Sequence, residues 1–277
     1  MLKMLVAGIT GLSLTGAMIL GAGAADEARV RVIHASPDAP NVDVYANGNA
    51  VLTDVPFEAS SGYLTVPAGD YTFEVFPAGA DANATDPVLT IDANLEAGTD
   101  YTVAAIGEVA NIEAAVFVDN NAAPAAGQAH INVIHAGPDA PAVDVAVAGG
   151  PVLVSDLSFG EKQGPLPAEA ATYDLEVRPA GTEDVALALD GVALEDGMIY
   201  TFVATGFLQG DPALTVLAFA EEPMAANTTT PMTPPSTGDG GLLGASEGGS
   251  NRYLFAGTLI VSLVAFAGLA RRVAVRS

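Results

Sequence analysis

The chain has 277 residues, a formal net charge of −24 and no cysteine. The length allows about two domains, and the missing thiols exclude disulfides and thiolate metal sites, so each domain must hold together by burial alone. All 33 Asp and Glu fall between Asp26 and Glu247, where the only basic residues are Arg29, Arg31, Lys162 and Arg178. That imbalance excludes the basic patches that nucleic acid requires. It is compatible with simple solubility, with multivalent-cation binding or with a salty habitat.

Residues 1–24 read as a signal peptide. Lys3 is a minimal positive start, Leu5 to Leu20 is an apolar core, and Ala22-Gly23-Ala24 supplies small residues for cleavage. An uncleaved membrane anchor is the alternative.

From there the chain contains one stretch twice. VRVIHASPDAPNVDV runs from Val30 to Val44 and INVIHAGPDAPAVDV from Ile131 to Val145, with His34 and His135 separated by 101 residues. At that period the repeating unit is a whole domain and not a solenoid repeat. The units are placed at residues 25–121 and 128–222, joined by the Ala-rich linker Asn121 to Gly127. A linker this short predicts two domains stacked end to end.

Within each unit, short alternating segments recur about every ten residues, with turn signals between them. In the first unit Val30, Val32 and His34 share one face of a strand, opposite Arg29, Arg31 and Ile33. Val42, Val44 and Ala46 alternate with Asp43 and Tyr45, and Asn47-Gly48 predicts a tight hairpin. Further strands are expected around Tyr71 to Val75, Val88 to Asp92, Tyr101 to Ala105 and Ala114 to Val118. The second unit repeats the order at Val143 to Val147, Tyr173 to Val177, Tyr200 to Phe202 and Leu214 to Phe219. No segment before residue 223 keeps a 3.6-residue period. The expected fold is all-β: two tandem immunoglobulin- or transthyretin-like antiparallel β-sandwiches.

The string His-Ala-(Ser/Gly)-Pro-Asp-Ala-Pro-x-Val-Asp-Val, together with the downstream Pro-Ala-Gly strands, resembles the signature of the family catalogued as domain of unknown function 4397. The resemblance spans about residues 29–222. It implies secreted or surface-exposed proteins and no assigned activity.

Two readings of the repeated string stand side by side. In the first it is a structural corner. Pro37 and Pro40 preset the backbone around Asp38, whose carboxylate accepts from N–H groups one or two residues on. His34 then makes a buried hydrogen bond to Asp38 or to a turn carbonyl. In the second, His34, Asp38 and Asp43, and again His135, Asp139 and Asp144, hold a transition metal. Calcium would want more oxygens. A hydrolytic site has less support, because Gly137 stands where the first copy has Ser36. His130 is expected in solvent, and Tyr45 is the one outward aromatic.

Residues 223–252 are rich in Thr, Pro, Gly and Ser and read as a disordered stalk. Inside it, Pro235, Ser236, Thr237 and Gly238 resemble a sortase sorting signal, with Pro234 in place of the usual Leu. Cleavage by a sortase would fall between Thr237 and Gly238. Residues 253–270 are uncharged and, as a helix, span about 27 Å, enough for one membrane crossing. Residues 271–277 carry Arg271, Arg272 and Arg276, a basic cytoplasmic tail by the positive-inside rule. The sequence therefore predicts a non-enzymatic protein on the extracellular face of the cell envelope, held by the membrane or the cell wall. Surface proteins or polysaccharides are its expected partners, with no cofactor. The alternative is a module of the envelope that binds a small ligand or a metal.

Overall fold

A computed structural model describes residues 27–223. The expected signal peptide, transmembrane segment, basic tail and sorting signal Pro235 to Gly238 lie outside the described residues, as does all but the first residue of the stalk. Each unit forms eight strands. The first comprises β1 (Glu27–His34), β2 (Val42–Ala46), β3 (Asn49–Val55), β4 (Ser60–Pro67), β5 (Gly69–Pro77), β6 (Leu89–Leu95), β7 (Asp100–Ile106) and β8 (Glu113–Asp119). The second comprises β9 (Gln128–His135), β10 (Val143–Val147), β11 (Val152–Leu157), β12 (Lys162–Glu169), β13 (Thr172–Pro179), β14 (Leu187–Ala193), β15 (Ile199–Thr205) and β16 (Thr215–Glu221). The one helical element among the described residues is a 3-10 turn at Val109–Asn111.

Four sheets result. They run β4-β1-β7-β8 and β3-β2-β5-β6 in the first unit, and β12-β9-β15-β16 and β11-β10-β13-β14 in the second. The expectation of purely antiparallel sheets needs correction. β1 runs parallel to β7, and β9 parallel to β15. After β1 the chain crosses to the other sheet, returns antiparallel to β1 as β4, crosses again through β5 and β6, and comes back along the other side of β1 as β7, parallel to it. The Asn47-Gly48 hairpin forms as its residues predict, with φ of 50° and 74°.

Strands β4 and β12 have no counterpart in the sequence reading. Their segments SSGYLTVP and KQGPLPAE carry Gly and Pro and do not alternate cleanly. Both are edge strands with a shift in register against β1 and β9, the place where a sheet tolerates proline and bulges.

Each unit is a sandwich with its own core. Val30, Val32, Val42, Phe73, Val75 and Val103 fill the first, and Ile131, Val133, Val145, Leu175, Val177 and Phe202 fill the second. Each buried side chain of this size contributes about 1.5–3 kcal/mol against the chain's ordering cost. The cores are closed, with voids of about 20 Å³ each, room for little more than one water molecule.

The two units are not stacked end to end. A third apolar cluster joins the outer face of the β4-β1-β7-β8 sheet to that of the β12-β9-β15-β16 sheet. It contains Ile33, Ala104 and Ile106 from the first unit and Ile134, Ala136 and Val203 from the second, with Phe117 and Phe219 packed against it. The protein is thus four sheets deep. The physical reason lies in β7 and β15, where every residue is buried. A strand that is apolar on both faces must be covered on both, and here the second cover is the other sandwich.

Candidate functional site

The repeated string forms the corner between β1 and β2, and again between β9 and β10. His34 and His135 sit at the ends of their strands, 1% and 0% exposed. His34 Nε2 lies 3.1 Å from the Pro40 carbonyl oxygen, and His135 Nε2 lies 3.0 Å from that of Pro141. A carbonyl only accepts, so Nε2 carries the proton and donates in both rings. Burial holds both imidazoles below the usual histidine range, outweighing the upward pull of the proline carbonyls. Both are neutral rings, each edge-on to a phenylalanine, Phe57 and Phe159. Nδ1 of His135 accepts from the Gly137 N–H at 3.2 Å, whereas Nδ1 of His34 has no partner.

The carboxylates do different work from the imidazoles and from each other. Asp38 does not bond its own turn. It accepts at 2.8 Å from the N–H of Val109, 71 residues on, in the loop between β7 and β8. Asp139 accepts from Leu208 and Gln209 in the matching loop, at 2.6 and 2.9 Å. Asp43 accepts from Asp54 and Gly79 at 2.8 and 2.9 Å, and Asp144 from Asp156 and Gly181 at the same distances. Asp54 and Asp156 have φ near +55°, an unfavourable backbone for a residue with a Cβ, and sit at register irregularities in β3 and β11, so Asp43 and Asp144 clamp a strained bulge. The three side chains of each set diverge to separate backbone partners. Among the described residues no three His, Asp or Glu converge as metal ligands.

Ser36 is fully buried and its hydroxyl has no partner. His130 is half-buried, with Nδ1 enclosed and unpartnered, rather than solvated. It shares a strand face with Asn132 and Ile134, which look toward the other unit. Tyr45 is also half-buried, edge-on to Phe76 at 5.2 Å.

A second concentration of polar chemistry lies in the seam between the sandwiches, and the sequence reading missed it. Arg31 is 0% exposed. It donates to Thr102 Oγ1 at 2.8 Å, to Thr201 Oγ1 at 3.3 Å and to Glu221 at 2.7 Å, and it stacks over Tyr63 and Phe219. Lys162 reaches back from the second unit to pair with Asp119 of the first. Asp119 also accepts from Tyr63 at 2.8 Å and Thr102 at 2.5 Å. Arg29 pairs with Asp100, whose carboxylate raises the guanidinium further above its ordinary value, and Asn121 bonds both Asp100 and Tyr63. Burial raises the Glu221 carboxyl despite the lowering effect of Arg31, and its Oε2 has no partner. Burial likewise raises the Tyr63 hydroxyl, which stays protonated and donates.

One signal in the sequence pointed to this seam. Of four basic residues among 33 acidic ones, two lie on β1 facing away from its own core. A cation placed on an otherwise apolar strand implies a buried partner.

The family model described as Domain of unknown function (DUF4397) matches residues 28–146 and 130–230. No curated protein matches the chain. Among solved structures, the Bacillus anthracis TIE protein aligns at 12% identity and a TM-score of 0.20 over 65% of this chain, which spans only 34% of that protein. A provisionally named cell adhesion protein from Parabacteroides distasonis aligns at 11% identity and 0.20, over 72% of this chain and 98% of the other. A similarly named protein from Bacteroides uniformis gives 13% and 0.20, over 70% and 98%. Alignments with TM-scores this low carry neither fold nor function across.

Proposed function

We propose, on the premise that this chain belongs to the DUF4397 family, that it is a non-enzymatic surface protein whose two sandwiches form one rigid head with a structural or adhesive role. The observation that carries this reading is the seam. Fully buried isoleucines and two cross-unit ion pairs join the sandwiches over their sheet faces, the construction expected of a unit that must transmit load rather than flex. The repeated corners support it, since their His and Asp side chains are spent on backbone bonds that brace loops. The uncharged segment at residues 253–270 and the Pro/Thr-rich stretch before it supply the anchor and stalk in this reading.

The test is surface display. Intact cells producing the full chain should yield residues 27–223 to external protease as one resistant block. Cells producing a chain truncated after residue 222 should shed it and adhere less to sister cells or to polysaccharide-coated plates. A head reachable only after lysis overturns the reading. Thermal melts with chelator, calcium and zinc form a second arm. A ligand at 100 times its Kd adds about 2.7 kcal/mol, and a shift lost in Asp38→Ala and Asp139→Ala would move the function to the corners. No shift is the expected result.

A further inference from the structure

We propose that Lys162 and Asp119 join in an amide (isopeptide) bond that covalently fastens the second sandwich to the first. Lys162 is the sole lysine between Lys3 and the C-terminus. Its amine lies in the seam against the Asp119 carboxylate, with the two side chains 8% and 3% exposed. The surroundings are poor in water and include the Phe117 ring, 5.9 Å from Nζ. In such a place an ammonium–carboxylate pair loses the hydration that normally makes it inert toward condensation.

The hydrogen bonds around the pair divide the work that condensation requires. Lys162 Nζ contacts Asp119 Oδ1, while Oδ2 accepts from the hydroxyls of Tyr63 and Thr102. A proton moves from the ammonium to Oδ1, leaving a neutral amine beside a neutral acid. The amine nitrogen then attacks Cγ. Negative charge develops on Oδ2, where two hydroxyl donors are already aimed, an arrangement that stabilises a tetrahedral intermediate. A second proton passes from nitrogen to Oδ1, the Cγ–Oδ1 bond breaks and water departs. Oδ2 becomes the amide oxygen. Of the three ammonium protons two leave in the water and one remains on the amide nitrogen, so no outside reagent is needed. That last N–H faces the Val118 carbonyl, 3.1 Å from Nζ.

The pair also sits where a covalent bond alters mechanics. Asp119 ends the last strand of the first unit and Lys162 begins an edge strand of the second. A link there bypasses the linker between the units, a task that a cysteine-free chain cannot give to a disulfide.

The test is the intact mass of the full chain, folded by thermal melt and then denatured. Wild type should be lighter by one water than its sequence. Trypsin should fail to cut after Lys162 and should release a branched peptide containing Asp119. Lys162→Arg and Asp119→Ala should show the full mass. Asp119→Asn should lose ammonia in place of water and reach the same product mass as wild type. A folded wild type at full mass overturns the proposal, as does a water loss that persists in Lys162→Arg.

Discussion

The two sandwiches share their corners and differ at their seam. Register places Arg31 beside Thr102 in the first unit and Asn132 beside Thr201 in the second. Likewise Asp119 and Glu221 end equivalent strands, and Ser60 and Lys162 begin equivalent edge strands. At each corner the histidine, the two aspartates and the prolines are the same. At the seam each cation, Arg31 or Lys162, has a polar neutral residue at the equivalent place of the other unit, Asn132 or Ser60, and pairs across with an acid, Glu221 or Asp119. The corner solves a problem internal to each sandwich and therefore repeats. The seam solves a problem between them, and its charges are complementary only for first against second. Two copies of the second unit, paired the same way, would set Glu221 against Asn132 and leave a buried carboxylate without its cation. The difference fixes which faces meet and discourages like units from pairing, since an unpaired buried charge is costly.

Arg31→Ala should break this comparison hardest. It strips Glu221 of its cation and Thr102 and Thr201 of a donor, and removing one partner of a buried pair costs about 3–5 kcal/mol. Chemical denaturation should show the loss and a single transition splitting into two as the sandwiches uncouple. A change under half of that, with one transition retained, would mean the seam's charges do not hold the units together. Ile134→Ala comes next. The residue is fully buried in the seam cluster, and truncation of such a side chain costs about 2–5 kcal/mol. Its partner-side equivalent, Ile33→Ala, should cost a similar amount, and unequal values would show that the seam is anchored mainly from one side.

The ease of reading the corners and the difficulty of reading the seam have one physical origin. Alternation in Val42 to Ala46 reports a strand with one covered face, so β2 and its hairpin were legible, as was the all-β class. In β7, DYTVAAI does not alternate because both faces are covered, and the sequence does not say by what. Alternation therefore did not reveal the face-to-face packing, which only Arg29 and Arg31 on the outer face of β1 hinted at, and the short linker pointed elsewhere. Asp38 was legible as a turn residue but not as a brace to Val109, because a bond across 71 residues leaves no local pattern. The edge strands β4 and β12 were lost to their glycines and prolines.

The corners carry the next two effects. Asp144→Ala removes the acceptor for two backbone N–H groups, those of Asp156 and Gly181. Each unmade buried bond costs about 1–3 kcal/mol, and Asp43→Ala should match it because the clamp is the same. A large gap between the two variants would break the equivalence of the corners. Protonation tests both corners together. Burial lowers both histidines below their ordinary value, so the unfolded chain binds more protons, and stability is complete above the ordinary histidine range and falls as pH drops through it. Glu221 has the opposite sign. Its raised value means that the fold holds a proton the unfolded chain gives up, so its contribution is present at low pH and is lost as pH rises through the folded value. Denaturation curves from pH about 7 down to about 5 should therefore fall more steeply in Glu221→Gln than in wild type. A parallel pair of profiles would sink the assignment of opposite signs.

The smallest effect separates the two corners at a single position. Ser36 and Gly137 stand two residues after the histidines at equivalent places. The Ser36 hydroxyl is buried without a partner, so Ser36→Ala should stabilise the first sandwich by up to about 1 kcal/mol, the desolvation cost of a polar atom that bonds nothing. At Gly137 the space is already taken. A Cβ there would lie 3.2 Å from Leu214 Cδ1 and 3.4 Å from the Gly206 carbonyl oxygen, and the leucine can yield more readily than the backbone. Gly137→Ser should therefore destabilise, adding a crowded hydroxyl beside a histidine whose Nδ1 already accepts from the Gly137 N–H. Thermal melts of the two variants should move in opposite directions. A melt raised by Gly137→Ser would mean that the second corner has room its neighbours do not show, and that the serine of the first corner is there for its hydroxyl.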